Sequence, residues 1–273
     1  MSVAGLVGEV GALWRYPVKS MMGERLERVG VTERGILGDR AYALVDESTG
    51  NLGSAKNPTK WGALLTCKAR FAQQVESDEI LPPALITLPN GACLRTDRPE
   101  TARILSELLG RKVTIASGGA ARPHVEKYWP NVDNLAHRDE MTNEAIVENS
   151  FFDGDPVHLL TTASLSALTA LYPTGYFDAR RFRPNIVLYT PPDQRSFVEN
   201  DWVGHTLAIG PQVRFHIKRP TRRCVITTLA QSELPRDLGI LKTAAQYNAA
   251  SVGVYATVLR GGVIEERAEA FLS

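Results

Sequence analysis

The sequence predicts a β-rich α+β protein with a few short helices. Apolar runs typical of strands recur along the whole chain and outnumber the segments with helical periodicity. The two kinds of segment do not alternate strictly, which argues against a sheet built from βαβ units. With 273 residues, 44% of them hydrophobic, the chain is long enough for two domains that each have a core.

The first part of the chain is predicted to form strands. The run "LVGEVGALWRYPV" consists of short apolar segments broken by glycine and proline, and "AYALVDESTGNL" enters a turn at residues 48–51. A hairpin is predicted over "ALITLPNGACLRT", because Asn90-Gly91 supplies the positive φ angles of a tight turn.

A helix is predicted to follow this hairpin. Asp97 stands at the N-cap position, Glu100 completes a capping box and Gly110 ends the helix. Its apolar face comprises Ile104, Leu105, Leu108 and Leu109. The next segment, residues 118–150, is polar and aperiodic, and is predicted to be an irregular linker or lid.

The strand pattern resumes after Phe151. We expect a buried strand at "VHLLTT", then a helix over "TASLSALTALY" that begins at Thr161, Thr162 or Ser164. Further strands are predicted at "PNIVLYT", "HTLAIG" and "VRFHIKRP". A helix over "LPRDLGILKTAAQYN" and a hairpin over "SVGVYATVLRGGVIEERA" complete the prediction.

Composition excludes several classes of function. The net charge is +1, from 31 basic and 30 acidic residues, so the basic excess of a nucleic-acid-binding protein is lacking. No run of about 18 apolar residues exists, so no membrane span is expected. Three widely spaced cysteines without a Cys-x-x-Cys pair fit a reducing compartment, and we expect a cytoplasmic location.

Cys224 is the leading candidate for a reactive or metal-binding residue, because it directly follows the basic run "KRPTRR". Arg222 and Arg223 can hold a neighbouring thiol ionised, and a thiolate attacks electrophiles or binds soft metal centres. A single cysteine before an apolar segment is equally compatible with a small buried hydrophobic residue. The local sequence leaves both interpretations open.

Three other stretches carry residues suited to an anion. They are "YPVKS" with Lys19 and Ser20, "GILGDR" with Arg40, and "RRFRPN" with Arg181, Arg183 and Asn185. Arginine binds phosphate through two parallel hydrogen bonds, and lysine, serine and asparagine supplement it. Taken singly, each stretch fits a surface charge or a turn; together they predict a pocket for a multiply anionic ligand, with Cys224 at its reactive end.

These motifs carry a resemblance to a known family. "YPVKS", "GILGDRAYALVD", "FFDGDPVHLLTTASLSAL", "FRPNIVL", "FVENDW" and "RCVITT" occur in the order seen in MOSC-domain proteins. The chain resembles in particular the mitochondrial amidoxime-reducing component family. The resemblance implies a MOSC N-terminal β-barrel-like domain over residues 1–118 and a MOSC β-barrel domain over residues 119–273, in which 119–150 is the linker or lid.

The resemblance also implies a molybdenum cofactor, Mo-molybdopterin. The family's metal-ligating and catalytic cysteine falls on Cys224. Its contacts to the pterin phosphate fall on Lys19, Ser20, Arg40, Arg183, Asn185 and Arg223. The chain departs from the family pattern at Arg222, at Gly154-Asp155 and at Asn200, and it lacks a closing Gly-Asp.

The implied function is an oxidoreductase that reduces N-hydroxylated or related small substrates. The chain has no cluster or flavin motif, so the electrons are expected from a separate iron–sulfur, flavin or haem protein. The alternative is a non-redox module that carries sulfur or binds the molybdenum cofactor through Cys224, as MOSC domains of molybdenum cofactor sulfurases can.

Overall fold

The computed structural model describes residues 5–120 and 123–273. Within residues 5–120 the strands and helices are β1 (Gly5–Arg15), β2 (Glu24–Leu26), β3 (Arg28–Thr32), β4 (Gly35–Ile36), β5 (Tyr42–Asp46), α1 (Pro58–Trp61), β6 (Lys68–Phe71), β7 (Ala84–Thr87), β8 (Cys93–Arg95), α2 (Pro99–Leu109) and β9 (Val113–Ser117).

Residues 123–273 are also dominated by strands. Their elements are β10 (His124–Trp129), β11 (Glu140–Ala145), β12 (Val157–Thr161), α3 (Thr162–Leu171), β13 (Ile186–Tyr189), β14 (Thr206–Ile209), β15 (Val213–Arg222), α4 (Gly239–Asn248), β16 (Ser251–Arg260), β17 (Gly262–Glu265) and β18 (Glu269–Leu272). Short 3-10 turns cover Gly62–Thr66, Ala179–Phe182, Val198–Trp202 and Val225–Thr228. The predicted β-rich α+β class is confirmed.

A closed barrel forms the larger core. Its strands follow the order β13-β12-β16-β15-β14-β18-β1, and β1 closes the barrel by pairing antiparallel with β13. The inward-facing side chains are almost all aliphatic, and Phe215 and Trp202 add aromatic bulk. Because β1 pairs with both β13 and β18, residues 5–15 lie in the same sheet as residues 269–272.

A second core packs residues between Val18 and Val113 around β5–β9 and α2. The hairpin predicted at Asn90-Gly91 is confirmed: β7 pairs with β8, and Gly91 has φ +86°. The two cores are compatible with the predicted domains, but the boundary at residue 118 stays a prediction, since β1 and β3 contribute to the barrel core.

The start of α2 differs from the prediction. Arg98, not Asp97, is the N-cap, because Pro99 fixes the first helical position. The Asp97 carboxylate instead accepts two hydrogen bonds from the Arg95 guanidinium. The predicted end is confirmed, since Gly110 adopts the left-handed conformation with φ +62°.

Of the three predicted starts of α3, the structure shows Thr161. Thr161 is the N-cap, and its side chain accepts a hydrogen bond from the Ser164 N–H.

The prediction of an irregular segment at 118–150 was wrong. Strands β10 and β11 form an antiparallel hairpin there, with His124 opposite Ala145 and Trp129 opposite Glu140. The pairing escaped prediction because most of its side chains are polar and few are buried, so no clear apolar alternation exists. Residues 121–122 of this segment lie outside the described residues.

The predicted C-terminal hairpin was also wrong. β16 and β17 are adjacent in the chain, but β17 pairs with β3 in the first part of the chain, and β16 pairs with β12 and β15.

The helix predicted over residues 234–248 begins later, at Gly239. Across residues 5–120 and 123–273, no helix is both long and apolar enough to cross a bilayer.

Candidate functional site

Three of the predicted cofactor contacts occupy left-handed backbone conformations. Ser20, Arg40 and Arg183 have φ angles of +65°, +48° and +54°. Such a conformation costs a residue with a side chain about 1–3 kcal/mol and persists only where the surroundings enforce it. The Arg40 N–H donates to the Tyr16 carbonyl at 2.8 Å, and the Arg183 N–H donates to the Arg180 carbonyl at 3.1 Å. Three of the predicted positions therefore carry backbone strain that the surrounding structure maintains.

Four of the predicted side chains line one small cavity of about 60 Å³. They come from distant parts of the chain: Arg40, Arg183, Asn185 and Arg223. The opposite wall is the loop of residues 152–156, and His158 and Tyr255 complete the lining. The structure therefore brings the arginines of three separate motifs together.

Arg40 and Arg183 share one aromatic ring. Their guanidinium carbons lie 4.6 and 4.3 Å from the centroid of the Tyr16 ring. Burial and the charge of Arg40 lower the pKa of Arg183 to about 10. Burial also acts against the charge of Arg40, but its ion pair with Asp39 raises the pKa of Arg40 overall. Among the described residues, the buried Arg183 forms no ion pair with a carboxylate, although Asp39 and Asp153 lie near enough to act on its pKa.

Arg223 is only partly satisfied within the described part of the chain. Its Nη2 donates to the Phe182 carbonyl at 2.6 Å, whereas its buried Nε has no hydrogen-bond partner there. Burial lowers the pKa of Arg223. An unsatisfied buried donor costs about 1–3 kcal/mol, so this guanidinium favours an acceptor supplied by a ligand.

Lys19 reaches the site through Asp153, a cavity-lining residue. Its Nζ donates to Asp153 Oδ1 at 2.6 Å and to the Phe151 carbonyl at 2.8 Å. Lys56 Nζ lies 3.1 Å from the same carboxylate oxygen. Burial lowers the pKa of Lys19 to about 8, and the neighbouring Lys56 charge acts in the same direction. Two buried ammonium groups therefore share one carboxylate.

Ser20 and Asn185 have hydrogen-bond partners within the protein. Ser20 Oγ accepts a hydrogen bond from the Ala55 N–H at 3.0 Å, and Ser20 does not line the cavity. Asn185 Oδ1 accepts from the His158 N–H at 3.1 Å, and its Nδ2 donates to Asp39 Oδ2 at 3.0 Å. The two side chains orient the walls of the site.

Cys224 is half-buried and stands just before the 3-10 turn Val225–Thr228. Burial lowers the pKa of Lys127 and of Arg223, and Cys224 lies close enough to both to act in the opposite direction. Burial acts against Lys56 as well, but Asp153 and then Cys224 raise the pKa of Lys56 overall. The thiol therefore lies among three cations, although it is not part of the cavity lining.

The basic run before Cys224 does not act as one unit. Lys218 and Arg219 form ion pairs with Asp155 at 2.6 and 2.7 Å, and the exposed Arg222 ends β15. Arg222 was expected to place a positive charge beside the thiol. Lys56 and Lys127, which are distant in sequence, provide that charge instead. Successive side chains of a strand point to opposite faces, and Arg222 points outward. A count of charges along the sequence does not show this direction.

Arg181 was also expected near the ligand and is not. It is fully buried, and its guanidinium donates to backbone carbonyls of Tyr176, Leu229 and Pro235 at 2.7–3.3 Å.

Four residues around the site were not identified from the sequence: Lys56, Asp153, Tyr16 and Lys127. Asp153 lies inside the quoted "FFDGDP" motif, so that motif could have drawn attention to it; Lys56 has no comparable local signal.

Two family models match the chain. The MOSC N-terminal beta barrel domain matches residues 7–70, and the MOSC domain matches residues 147–269. The chain therefore contains a MOSC N-terminal beta barrel domain followed by a MOSC domain. MOSC domains are associated with molybdenum cofactor sulfurases and related proteins. A search of curated proteins gave no match.

Solved structures show more distant likenesses. The YUAD protein from Bacillus subtilis is 11% identical with a TM-score of 0.48, covering 99% of this chain and 98% of that chain. YiiM from Geobacillus stearothermophilus is 21% identical with a TM-score of 0.33, covering 44% of this chain and 54% of that chain. Because these TM-scores lie below 0.5, the assignment rests on the two family matches.

Proposed function

We propose that this protein holds a molybdenum cofactor with Cys224 and the neighbouring cations, and that it reduces N-hydroxylated small substrates. The observation that carries the proposal is a buried excess of positive charge beside a half-buried thiol. Asp39 and Asp153 are the carboxylates that pair with cations of this group, whose members are Lys19, Lys56, Arg40, Arg183 and Arg223.

The donor set fits the phosphate of a pterin cofactor. Arginine binds phosphate through a planar fork of N–H groups, and lysine adds a point charge. Among the described residues, the buried Nε of Arg223 has no hydrogen-bond partner, and the buried Arg183 forms no ion pair with a carboxylate. Asp155 also lines the cavity, but Lys218 and Arg219 already balance it. The site therefore favours an anionic ligand.

The size of the cavity adds one requirement. About 60 Å³ holds roughly two water molecules, so a pterin enters only if the lining moves. One wall is the continuous loop of residues 152–156, and Asp153 ties that loop to Lys19 and Lys56. We propose that the ligand phosphate replaces the Asp153 carboxylate on these lysines and that the loop moves outward with it.

Cys224 would hold the metal through its thiolate. A metal-bound thiol is deprotonated, and Lys56, Lys127 and Arg223 stabilise its negative charge. The bound cofactor would supply a molybdenum ion that changes oxidation state and removes oxygen from the substrate. The electrons would come from a separate iron–sulfur, flavin or haem protein.

Metal analysis and turnover test this proposal together. The protein is purified from a host that makes the molybdenum cofactor, and its molybdenum and pterin contents are measured. Reduced methyl viologen then replaces the electron donor, and conversion of benzamidoxime to benzamidine is followed. We expect stoichiometric molybdenum and turnover; protein without molybdenum would contradict the proposal.

The alternative is a module that carries sulfur or binds the cofactor without turnover. The half-buried thiol among cations supports it too, because the same charges would stabilise a persulfide anion on Cys224. Stoichiometric molybdenum without benzamidoxime reduction, or a persulfide on Cys224 in the purified protein, would favour this alternative.

A further inference from the structure

The arginines of the cationic cavity, which is the cavity lined by Arg40, Arg183 and Arg223, lie over aromatic rings. Arg40 and Arg183 share the ring of Tyr16, and the guanidinium carbon of Arg223 lies 5.7 Å from the centroid of the Phe182 ring. An aromatic face attracts a cation without neutralising its charge. Aromatic contacts therefore hold these cations while leaving their charge available to an anion.

The Tyr16 ring is fixed by its surroundings. The Tyr16 N–H donates to Asp39 Oδ1 at 2.8 Å, and the Tyr16 carbonyl accepts a hydrogen bond from the Arg40 N–H at 2.8 Å. Gly23 packs against the ring so closely that a Cβ at Gly23 would lie 2.6 Å from Tyr16 Cδ1. The ring therefore offers a fixed surface to both guanidinium groups.

Tyr16 adds no negative charge to this arrangement. Burial raises the pKa of Tyr16 to about 12, although the charges of Arg183 and Arg40 act in the opposite direction. The phenol therefore stays neutral at physiological pH. Its buried hydroxyl has no hydrogen-bond partner within residues 5–120 and 123–273. The ring, rather than the hydroxyl, is thus the part of Tyr16 that contacts the two arginines.

The two arginines keep donors for a ligand. Arg183 Nη1 donates to the Met21 carbonyl at 2.7 Å, and Arg40 Nη2 donates to the Arg183 carbonyl at 3.4 Å. Each guanidinium has five N–H donors, so further donors remain on both. Their like charges oppose each other, since the Arg40 charge helps to lower the pKa of Arg183. The shared ring offsets that repulsion.

We infer that Tyr16 is a positioning residue, whose ring holds Arg40 and Arg183 together at the cationic cavity so that both bind the same anionic group. The inference deepens the proposed function and rests on it for the identity of that group as a cofactor phosphate. The effect of the ring on anion binding is measurable without the cofactor.

The test compares two substitutions of Tyr16 in the full-length protein from a host that does not make the cofactor. Sulfate binding is measured by calorimetric titration. Tyr16→Leu removes the ring and should weaken sulfate binding about tenfold, the scale of two lost cation–π contacts. Tyr16→Phe keeps the ring and should stay within about twofold of the wild type. Because the hydroxyl has no partner, Tyr16→Phe should also keep the urea midpoint of the wild type.

Tyr42→Leu is the matched control for Tyr16→Leu. Tyr42 is also a buried tyrosine, but its ring packs against Phe71, and its hydroxyl donates to the Pro82 carbonyl at 3.1 Å. We expect Tyr42→Leu to lower the urea midpoint and to leave sulfate affinity unchanged. A loss of affinity confined to Tyr16→Leu therefore separates positioning from general destabilisation.

NMR of the arginine side chains measures the positioning itself. The ring current of Tyr16 should shift the Nε–H signals of Arg40 and Arg183, and Tyr16→Phe should preserve those shifts while Tyr16→Leu removes them. A Tyr16→Leu protein that binds sulfate like the wild type would overturn the inference. A Tyr16→Phe protein as weak as Tyr16→Leu, or a wild type without sulfate binding, would overturn it too. Ring-dependent sulfate binding by a protein that takes up no molybdenum in a cofactor-competent host would sustain the inference and count against the proposed function.

Discussion

Lys19 Nζ and Asp153 Oδ1 lie 2.6 Å apart although 134 residues separate them in the chain. The pair joins the turn after β1 to the loop before β12. The Asp153 carboxylate also reaches Lys56, so it balances two buried ammonium groups at once. Under the proposed function, Asp153 occupies the place that the phosphate of the ligand would take.

Asp153→Asn is therefore expected to change stability and anion affinity in opposite directions. Loss of the carboxylate leaves two buried ammonium groups unbalanced, which should lower the free energy of unfolding by about 2 kcal/mol. The same loss should strengthen sulfate binding several-fold, because the competing internal anion is gone. Urea denaturation and calorimetric titration measure the two effects.

Asp155→Asn provides the matched control for Asp153→Asn. It removes a carboxylate from the same loop, but one that pairs with the outer cations Lys218 and Arg219. Its sulfate affinity should stay close to that of the wild type. If Asp153→Asn binds sulfate no more tightly than Asp155→Asn does, the carboxylate does not compete with the ligand.

The pKa of Lys19 predicts how anion binding depends on pH. Burial lowers this pKa to about 8, so Nζ is charged at pH 7 and becomes neutral as the pH rises through 8 to 9. Sulfate keeps a constant charge over that range, so its affinity should fall as Lys19 loses its proton. Lys19→Arg stays charged and should show a flat profile. A flat wild-type profile between pH 7 and 9 would contradict the prediction.

Gly253 packs closely against His158, which lines the cationic cavity, and we expect a side chain at this position to destabilise the fold. Its φ angle is +79°, and an added Cβ would lie 2.4 Å from the Leu159 carbonyl oxygen and 2.5 Å from His158 Nε2. Gly253→Ala should therefore lower the free energy of unfolding by about 3 kcal/mol, from backbone strain together with the clash. Thermal or urea unfolding measures this loss.

Gly91→Ala separates the two causes of that loss. Gly91 also has a positive φ, +86°, but a Cβ there would meet nothing within 4 Å. Its substitution should cost about 1 kcal/mol from strain alone. Equal losses in the free energy of unfolding for the two variants would show that the contacts of Gly253 with His158 and the Leu159 carbonyl contribute nothing beyond backbone strain.

The sequence predicted the β-rich class and most strands correctly, because those features depend on local apolar patterns. It also identified Arg40, Arg183 and Arg223 as one set through the resemblance, and the structure places all three in one cavity. That these residues bind a cofactor stays a prediction.

Long-range pairing explains what the sequence did not predict. The strand after Arg260 looked like a hairpin partner of β16, yet it pairs with β3, more than 200 residues earlier in the chain. Lys56 and Lys127 lack a local motif and reach Cys224 only through the fold. Such partners depend on tertiary packing rather than on neighbouring residues.

Cys224→Ser tests the central claim most directly, through the molybdenum content of protein from a cofactor-competent host. Cys224 is half-buried at the start of a 3-10 turn, so the variant should fold normally, as far-ultraviolet circular dichroism would show. A hydroxyl is a harder ligand than a thiolate, so bound molybdenum and benzamidoxime reduction should both collapse. Cys93→Ser, at an exposed cysteine, should keep both. A folded Cys224→Ser variant with full molybdenum and full reduction would contradict the account.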